Sequence, residues 1–205
     1  MRLGAKGILD ARKAGDIYIR PYHEESLQPN SYDVAIDGVY YRQRNVAGRV
    51  YLHDYIKADT ELGEKFWEGP IYSSQIAIAP NSMVLATTVE YIGAVNGYTT
   101  LLKTKSTLER LMIQVSAGAG FGDVGFVNKW TLEIVNHSNF EIIIPMGMKV
   151  GQIAFDKVEG QGHRYSGSYV QQPQWTPEQM LPKLKPSIIL PGFYSKFGDK
   201  VVESV

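Results

Sequence analysis

The stretch Ala117-Gly-Ala-Gly-Phe-Gly-Asp-Val-Gly-Phe-Val-Asn-Lys-Trp-Thr-Leu-Glu-Ile-Val-Asn136 decides the fold class. Its glycines, Gly118, Gly120, Gly122 and Gly125, let the backbone approach a neighbour closely or adopt positive φ. In a dinucleotide-binding fingerprint such glycines lead into a helix of several turns. Here Asn128-Lys-Trp-Thr-Leu-Glu133 follows, which reads as a strand, so the dinucleotide reading fails. What remains is a glycine-rich turn between strands, with Asp123 either a plain turn residue or an acid displayed at its tip.

Outward from that stretch the texture is the same. Short apolar or alternating runs recur at Ile17-Tyr-Ile19, Tyr32 to Ile36, Gln75 to Ala79, Met83 to Thr88 and Tyr98 to Leu102. They continue at Ile113 to Ser116, Trp130 to Val135, Glu141 to Ile144 and Lys149 to Asp156. Strands this short and frequent, rich in Ile, Val, Thr and Tyr, predict a β sandwich or barrel. Two short helices interrupt them. Gly7 to Ala14 has helical spacing and is closed by Gly15-Asp16. Ser106 to Leu111 is the other, with Ser106 or Thr104 as its N-cap. Arg42 to Pro70 is more polar and predicts an insertion or long loop. From Gln171 the prolines of Gln-Gln-Pro-Gln-Trp-Thr-Pro177 and Leu181-Pro-Lys-Leu-Lys-Pro186 prevent ordinary helix or central strand. The chain therefore divides into a β domain over 1–172 and an extended arm over 173–205 that packs on a neighbouring subunit.

Composition narrows the chemistry. The 205 residues, 44% of them hydrophobic, suffice for one packed domain. With 21 basic and 21 acidic residues the formal charge is zero, against the basic excess expected of a nucleic-acid polymer binder. A single nucleotide held by a few local cations remains compatible. Cysteine is absent, which removes disulfides, thiolate catalysis and every cysteine-bearing metal site. Zinc-dependent nucleobase deaminases need such cysteines. His23-Glu-Glu25 therefore cannot complete a zinc site and reads as a solvated loop. No apolar run approaches the roughly 20 residues of a membrane helix, and Met1 to Asp10 lacks the core of a signal peptide. The expectation is a cytoplasmic protein without membrane contact.

Three constellations could carry chemistry. Lys103-Thr-Lys-Ser-Thr-Leu-Glu-Arg110 places two lysines and three hydroxyls at a helix start, either as an anion site or as a solvated cap. The glycine run with Asp123 is the second. Glu133 is the third, alternating with Leu132 and Ile134. It lies either on a solvated strand face or in a pocket that would tune it for proton transfer.

Together these segments resemble the deoxycytidine triphosphate deaminase family, whose fold is shared with trimeric deoxyuridine triphosphatases. The resemblance is carried by Leu27-Gln-Pro-Asn-Ser-Tyr-Asp-Val34, Lys105-Ser-Thr-Leu-Glu-Arg110, Asp123 through Asn136, and Gly147-Met-Lys-Val-Gly-Gln-Ile-Ala-Phe155. A weaker match is Tyr165-Ser-Gly-Ser-Tyr-Val-Gln-Gln172. It implies a mainly β, deoxyuridine-triphosphatase-like distorted barrel or jelly roll, assembled as a homotrimer. It implies hydrolytic deamination of a deoxycytidine nucleotide, dCTP to dUTP and ammonia, without zinc and with magnesium carried on the nucleotide phosphates. Glu133 would be the general base, Ser106 would orient the water and Arg110 would fix the carboxylate. Asp123 would meet the deoxyribose, and Ala119 would line the substrate site. Thr131 and Leu132 would present backbone to the pyrimidine edge. Lys105, Ser106 and Thr107 would face phosphates, and Tyr165 and Gln172 would come from a closing tail.

Departures from the family pattern matter. Lys105 stands where the family has Arg, a point charge in place of a bidentate clamp. Ser168 stands where a tail lysine contacts phosphate, and Val124 and Asn128 replace a Pro and a Gly. A monophosphate substrate, a pyrophosphatase or bifunctional activity on deoxyuridine nucleotides, and an inactive nucleotide-binding regulator stay open.

Overall fold

The computed structural model describes residues 1–45, 48, 66–160 and 164–165. Its elements are α1 (Ala5–Ala14), β1 (Ile17–Arg20), β2 (Leu27–Gln28), β3 (Ser31–Gln43), β4 (Trp67–Tyr72), β5 (Gln75–Ile78), β6 (Ser82–Ala94) and β7 (Tyr98–Thr104). After these come α2 (Ser106–Glu109), β8 (Ile113–Gln114), β9 (Phe121–Gly122), β10 (Val127–Asn136), β11 (Ile142–Pro145) and β12 (Lys149–Lys157). A ten-stranded sheet runs β8-β10-β6-β3-β12-β7-β9, with β1 on β6 and β2 and β4 on β3; β11 and β5 form a separate pair. The fold is thus mainly β, a curled sheet closing around one core, as the short alternating runs predict.

The curl comes from two long strands that change partners. The first part of β3, Tyr32 to Ala35, pairs with β12, and the part from Ile36 to Arg42 pairs with β6. Tyr32, Val34, Ile36 and Tyr40 face a core shared with Ile92, Trp130, Leu132, Ile134, Ile153 and Phe155. At the handover the Ala35 N–H finds no strand and donates instead to the Glu90 carboxylate at 2.9 Å. Glu90 reaches inward because Thr88–Glu90 of β6 stand opposite the single residue Trp130 of β10, an irregularity between Lys129 and Thr131. Thr88 fills it: its hydroxyl accepts from the Trp130 N–H at 2.9 Å and donates to the Glu90 carbonyl at 2.7 Å.

Helix α1 forms where the apolar spacing predicts it, beginning slightly earlier. Ile8 and Ala11 are buried, and Gly15 at φ +81 terminates the helix in the left-handed conformation that glycine adopts without strain. The second helix corrects the capping expectation. Lys105, rather than Ser106 or Thr104, occupies the N-cap, and Ser106 is already helical. The Thr104 hydroxyl instead accepts the Val115 N–H at 2.8 Å. The polar region over 42–70 begins and ends in strand, since β3 runs to Gln43 and pairs there with Trp67 of β4. The part of this insertion that falls on 46–47 and 49–65 lies outside the described residues, as does the arm over 173–205. His23-Glu24-Glu25 is exposed, as expected of a solvated loop. Among the described residues no helix is long and apolar enough to cross a membrane.

Burial raises the Glu90 carboxyl above its ordinary 4.5, against the opposing pull of the Ala35 N–H. Above that ordinary value the unfolded chain gives up its proton first, so this group makes stability decline as pH rises until the folded form ionises too. Glu90→Gln keeps an acceptor for Ala35 and cannot ionise. Denaturant midpoints measured across a pH series should show a flatter decline above about pH 4.5 than in the wild type. Glu90→Ala, which orphans the Ala35 N–H, should be less stable by about 1–3 kcal/mol.

Candidate active site

The stretch from Val115 to Asn136 is a hairpin whose arms are joined at both ends and separated between. At the base, β8 pairs with Val135 and Asn136, and Ser116 bridges Glu133. At the tip the Phe126 N–H closes a turn on the Asp123 carbonyl at 3.0 Å. In between, the ascending arm leaves β10 and bonds to β7: Phe121 and Gly122 pair with Leu101 and Thr100, and the Leu102 N–H donates to the Gly120 carbonyl at 2.7 Å. Strand β10 is paired with β6 along one edge. Among the described residues no strand pairs with its other edge between Val127 and Leu132. Each residue there brings one N–H and one C=O, so this edge offers donors and acceptors to whatever lies against it.

The glycines follow from this route. A Cβ on Gly122 would stand 2.2 Å from the Thr100 hydroxyl and 2.7 Å from the Trp130 ring, so the arm can cross the indole only where there is no side chain. The indole is fixed beneath it by an Nε1–H bond to the Ile92 carbonyl at 3.1 Å. Phe126 meets Trp130 edge-on at 5.1 Å, and Tyr165 meets Phe126 edge-on at 5.7 Å. The Tyr165 N–H also donates to the Val124 carbonyl at 2.9 Å, docking the segment after β12 onto the Asp123 turn.

The residues singled out from the sequence fall into three groups. Thr131 and Glu133 are half-buried on one face of β10, alternating with the buried Leu132 and Ile134, so Leu132 can offer only backbone. Glu133 lies between the two readings its sequence pattern allows, neither in open solvent nor sealed. Ser106, Thr107 and Arg110 are exposed on α2, which leads into β8 and so onto the Glu133 end of β10. Met112, closing that turn at φ +61, accepts the His137 N–H at 2.9 Å through its carbonyl. Asp123 and Ala119 are exposed, Ala119 on the ascending arm and Asp123 in the turn onto which Tyr165 docks. Lys105 differs from the rest: its ammonium is bonded to the carboxylate of Asp33, which is 3% exposed. Gln172 lies outside the described residues.

Two contributors escaped the sequence reading. Asp33 is quoted there only as part of a block, with no signal that its partner lies 72 positions away. Lys129 pairs with Asp37 at 2.5 Å and ties β10 to β3, a contact equally invisible in local pattern. Among the described residues no three His, Asp or Glu side chains converge as metal ligands.

Comparison with known proteins gives the following. A family model described as dCTP deaminase-like matches residues 2–158. A protein of Bifidobacterium longum named "dCTP deaminase, dUMP-forming" is 33% identical over 168 residues, covering 82% of this chain and 85% of its own length. A protein of the same name from Corynebacterium jeikeium is 34% identical over 154 residues, 75% of this chain and 80% of that one. The crystal structure of 2′-deoxycytidine 5′-triphosphate deaminase from Agrobacterium tumefaciens superposes with a TM-score of 0.56 at 16% identity. That match covers 75% of this chain and 47% of the other, under half its length, and speaks to fold.

The Thr131 hydroxyl is buried and has no hydrogen-bond partner among the described residues. Thr131→Val removes that unsatisfied group at nearly constant shape and should raise the unfolding free energy by about 1 kcal/mol. Paired denaturant titrations of the wild type and variant measure this.

Proposed function

We propose a function from one premise: this chain belongs to the dCTP deaminase-like family. It is an enzyme that deaminates a deoxycytidine nucleotide by hydrolysis. The finer reading takes dCTP and water to dUTP and ammonia, in cytoplasmic pyrimidine deoxynucleotide metabolism.

The observation that carries it is the edge of β10 from Val127 to Leu132, which pairs with no strand among the described residues and runs on to Glu133. The alternating N–H and C=O groups of such an edge complement the O2, N3 and N4 edge of cytosine, and the acid lies along the same strand. In the proposed step Glu133 takes one proton from water as its oxygen bonds to C4, and delivers it to the ring N3. It then takes the proton of the new C4 hydroxyl and passes it to the amino nitrogen, so that the C4–N4 bond breaks to leave the C4 carbonyl and ammonia. Ser106 orients the water and Arg110 holds the carboxylate. Thr131 and Leu132 meet the base through backbone, Asp123 and Ala119 the sugar, Ser106 and Thr107 the phosphates, and Tyr165 and Gln172 the closed nucleotide. Magnesium in this reading is carried on the nucleotide phosphates.

A homotrimer with shared sites is part of this reading. Ser106, Thr107 and Arg110 are open to solvent in the single chain, whereas proton transfer of this kind is favoured where water is excluded. Leu111, Met112 and Phe121, next to the site elements, are 57%, 56% and 66% exposed, which supports a neighbouring subunit covering them.

One observation favours a second step. The Bifidobacterium and Corynebacterium relatives are named dUMP-forming. Hydrolysis of dUTP to dUMP and pyrophosphate after deamination, using Asp123, fits that product. Incubation of the purified protein with magnesium and dCTP, dCMP or dUTP, with ammonia and pyrophosphate measured separately, tests both steps. Ammonia from dCTP supports deamination, and pyrophosphate from dUTP supports the second step. Nucleotide binding without either product assigns a regulatory role. Glu133→Gln should lower ammonia release roughly 10²–10⁴-fold with nucleotide binding retained; full turnover in that variant removes Glu133 from its role.

A further inference from the structure

We propose that Lys105 is a positioning residue rather than a phosphate ligand, and that the buried carboxylate of Asp33 is its anchor. The inference rests on the deaminase reading above, and it concerns what sets Ser106 and Arg110 in place. Lys105 is held on three sides. Its N–H donates to the Val150 carbonyl at 3.1 Å, joining it to β12. Its carbonyl accepts the Leu108 N–H at 2.9 Å and the Glu109 N–H at 3.2 Å, so α2 starts from it. Its ammonium lies on Asp33, which also accepts the Gln28 amide at 3.4 Å.

Helix α2 is four residues long and has no side-chain cap. A helix this short has almost no stability of its own, so its direction is dictated by what holds its first residue. Ser106 and Arg110 make no side-chain hydrogen bond or ion pair among the described residues that could orient them independently. The Asp33 carboxylate is therefore the distant support of both groups, acting through the Lys105 stem.

The same pair argues against phosphate contact. The Asp33 side chain is 5% exposed and that of Lys105 30%. An ammonium is one compact charge, and withdrawing it towards a triphosphate would leave a carboxylate buried and uncompensated, which proteins strongly disfavour. The lysine in place of the family's arginine is then suited to an inward point contact, where a fork to clamp phosphate oxygens has no use.

The test separates positioning from binding. Asp33→Asn and Lys105→Met should each lower kcat for ammonia release from dCTP by roughly tenfold or more, with KM moving less than about threefold. The double variant should be no worse than the weaker single variant, because both remove one interaction. Lys105→Arg, which can still reach Asp33, should recover most of the lost rate. A tenfold rise in KM for Lys105→Met with kcat preserved, or full kcat in Asp33→Asn, would overturn the proposal. Amide hydrogen exchange over residues 105–111 provides a readout independent of turnover. It should quicken in both single variants, and unchanged protection refutes the anchoring. Should the wild type release no ammonia, the deaminase reading fails, and the exchange experiment still decides whether Asp33 holds the turn. Should Asp33→Asn not fold, exchange and kinetics of Lys105→Met against Lys105→Arg decide it.

Discussion

Buried backbone must be paired, and in this molecule one arm of a hairpin satisfies that requirement with the wrong neighbour. The segment after Ser116 gives its hydrogen bonds to β7 instead of to β10, which would ordinarily be its partner. This leaves a strand with one edge occupied by β6 and, among the described residues, no strand on the other between Val127 and Leu132. A site that reads a flat heterocycle needs such an edge, because side chains are less precise rulers than peptide groups held in a ladder. The glycine run is the local condition for this detour: Gly122 crosses the Trp130 ring where no Cβ fits, and Gly125, at φ +96, lets the chain turn back into β10.

The remaining architecture keeps that edge rigid. β10 is fastened to β3 by Lys129 and Asp37, to β6 through the Thr88 hydroxyl, and to the core through Trp130. The Glu90 carboxylate stands in for a missing strand at the point where β3 passes from β12 to β6. Polar side chains thus close gaps that a curled sheet cannot close with backbone alone. A buried carboxylate left without partners is costly, and Glu90 and Asp33 each have them.

What could be read from the sequence follows the range of the forces involved. Alternating apolar residues reveal strand positions because burial acts residue by residue, so the runs at Ile17, Tyr98, Trp130 and Lys149 all correspond to strands. The glycine run announced a close approach, and its failure to enter a helix excluded the dinucleotide fold. Long-range pairings left no such trace. Lys105 looks like a free cation at a helix start, but its partner is 72 residues earlier. Ser106 and Thr104 both looked like caps, but Thr104 is taken by Val115 across the turn. β4 leaves no such trace because Trp67 to Tyr72 contains a glycine and a proline and lies half-buried against β3, so it shows neither alternation nor a core run. The pattern around Glu133 allowed two readings because a half-buried face is what both produce.

These differences describe a site built from parts of unequal stiffness. Strand β10 runs ten residues against β6, whereas the turn between Lys105 and Arg110 is four residues long. That turn hangs from four contacts: Lys105 to Val150 and to Asp33, Thr104 to Val115, and Met112 to His137. They reach β12, β3 and the residues that follow β8 and β10, so the turn inherits its position from several parts of the curled sheet. The departure at position 105 falls at the start of that turn, whereas those at Val124 and Asn128 fall at the hairpin tip and in β10 itself.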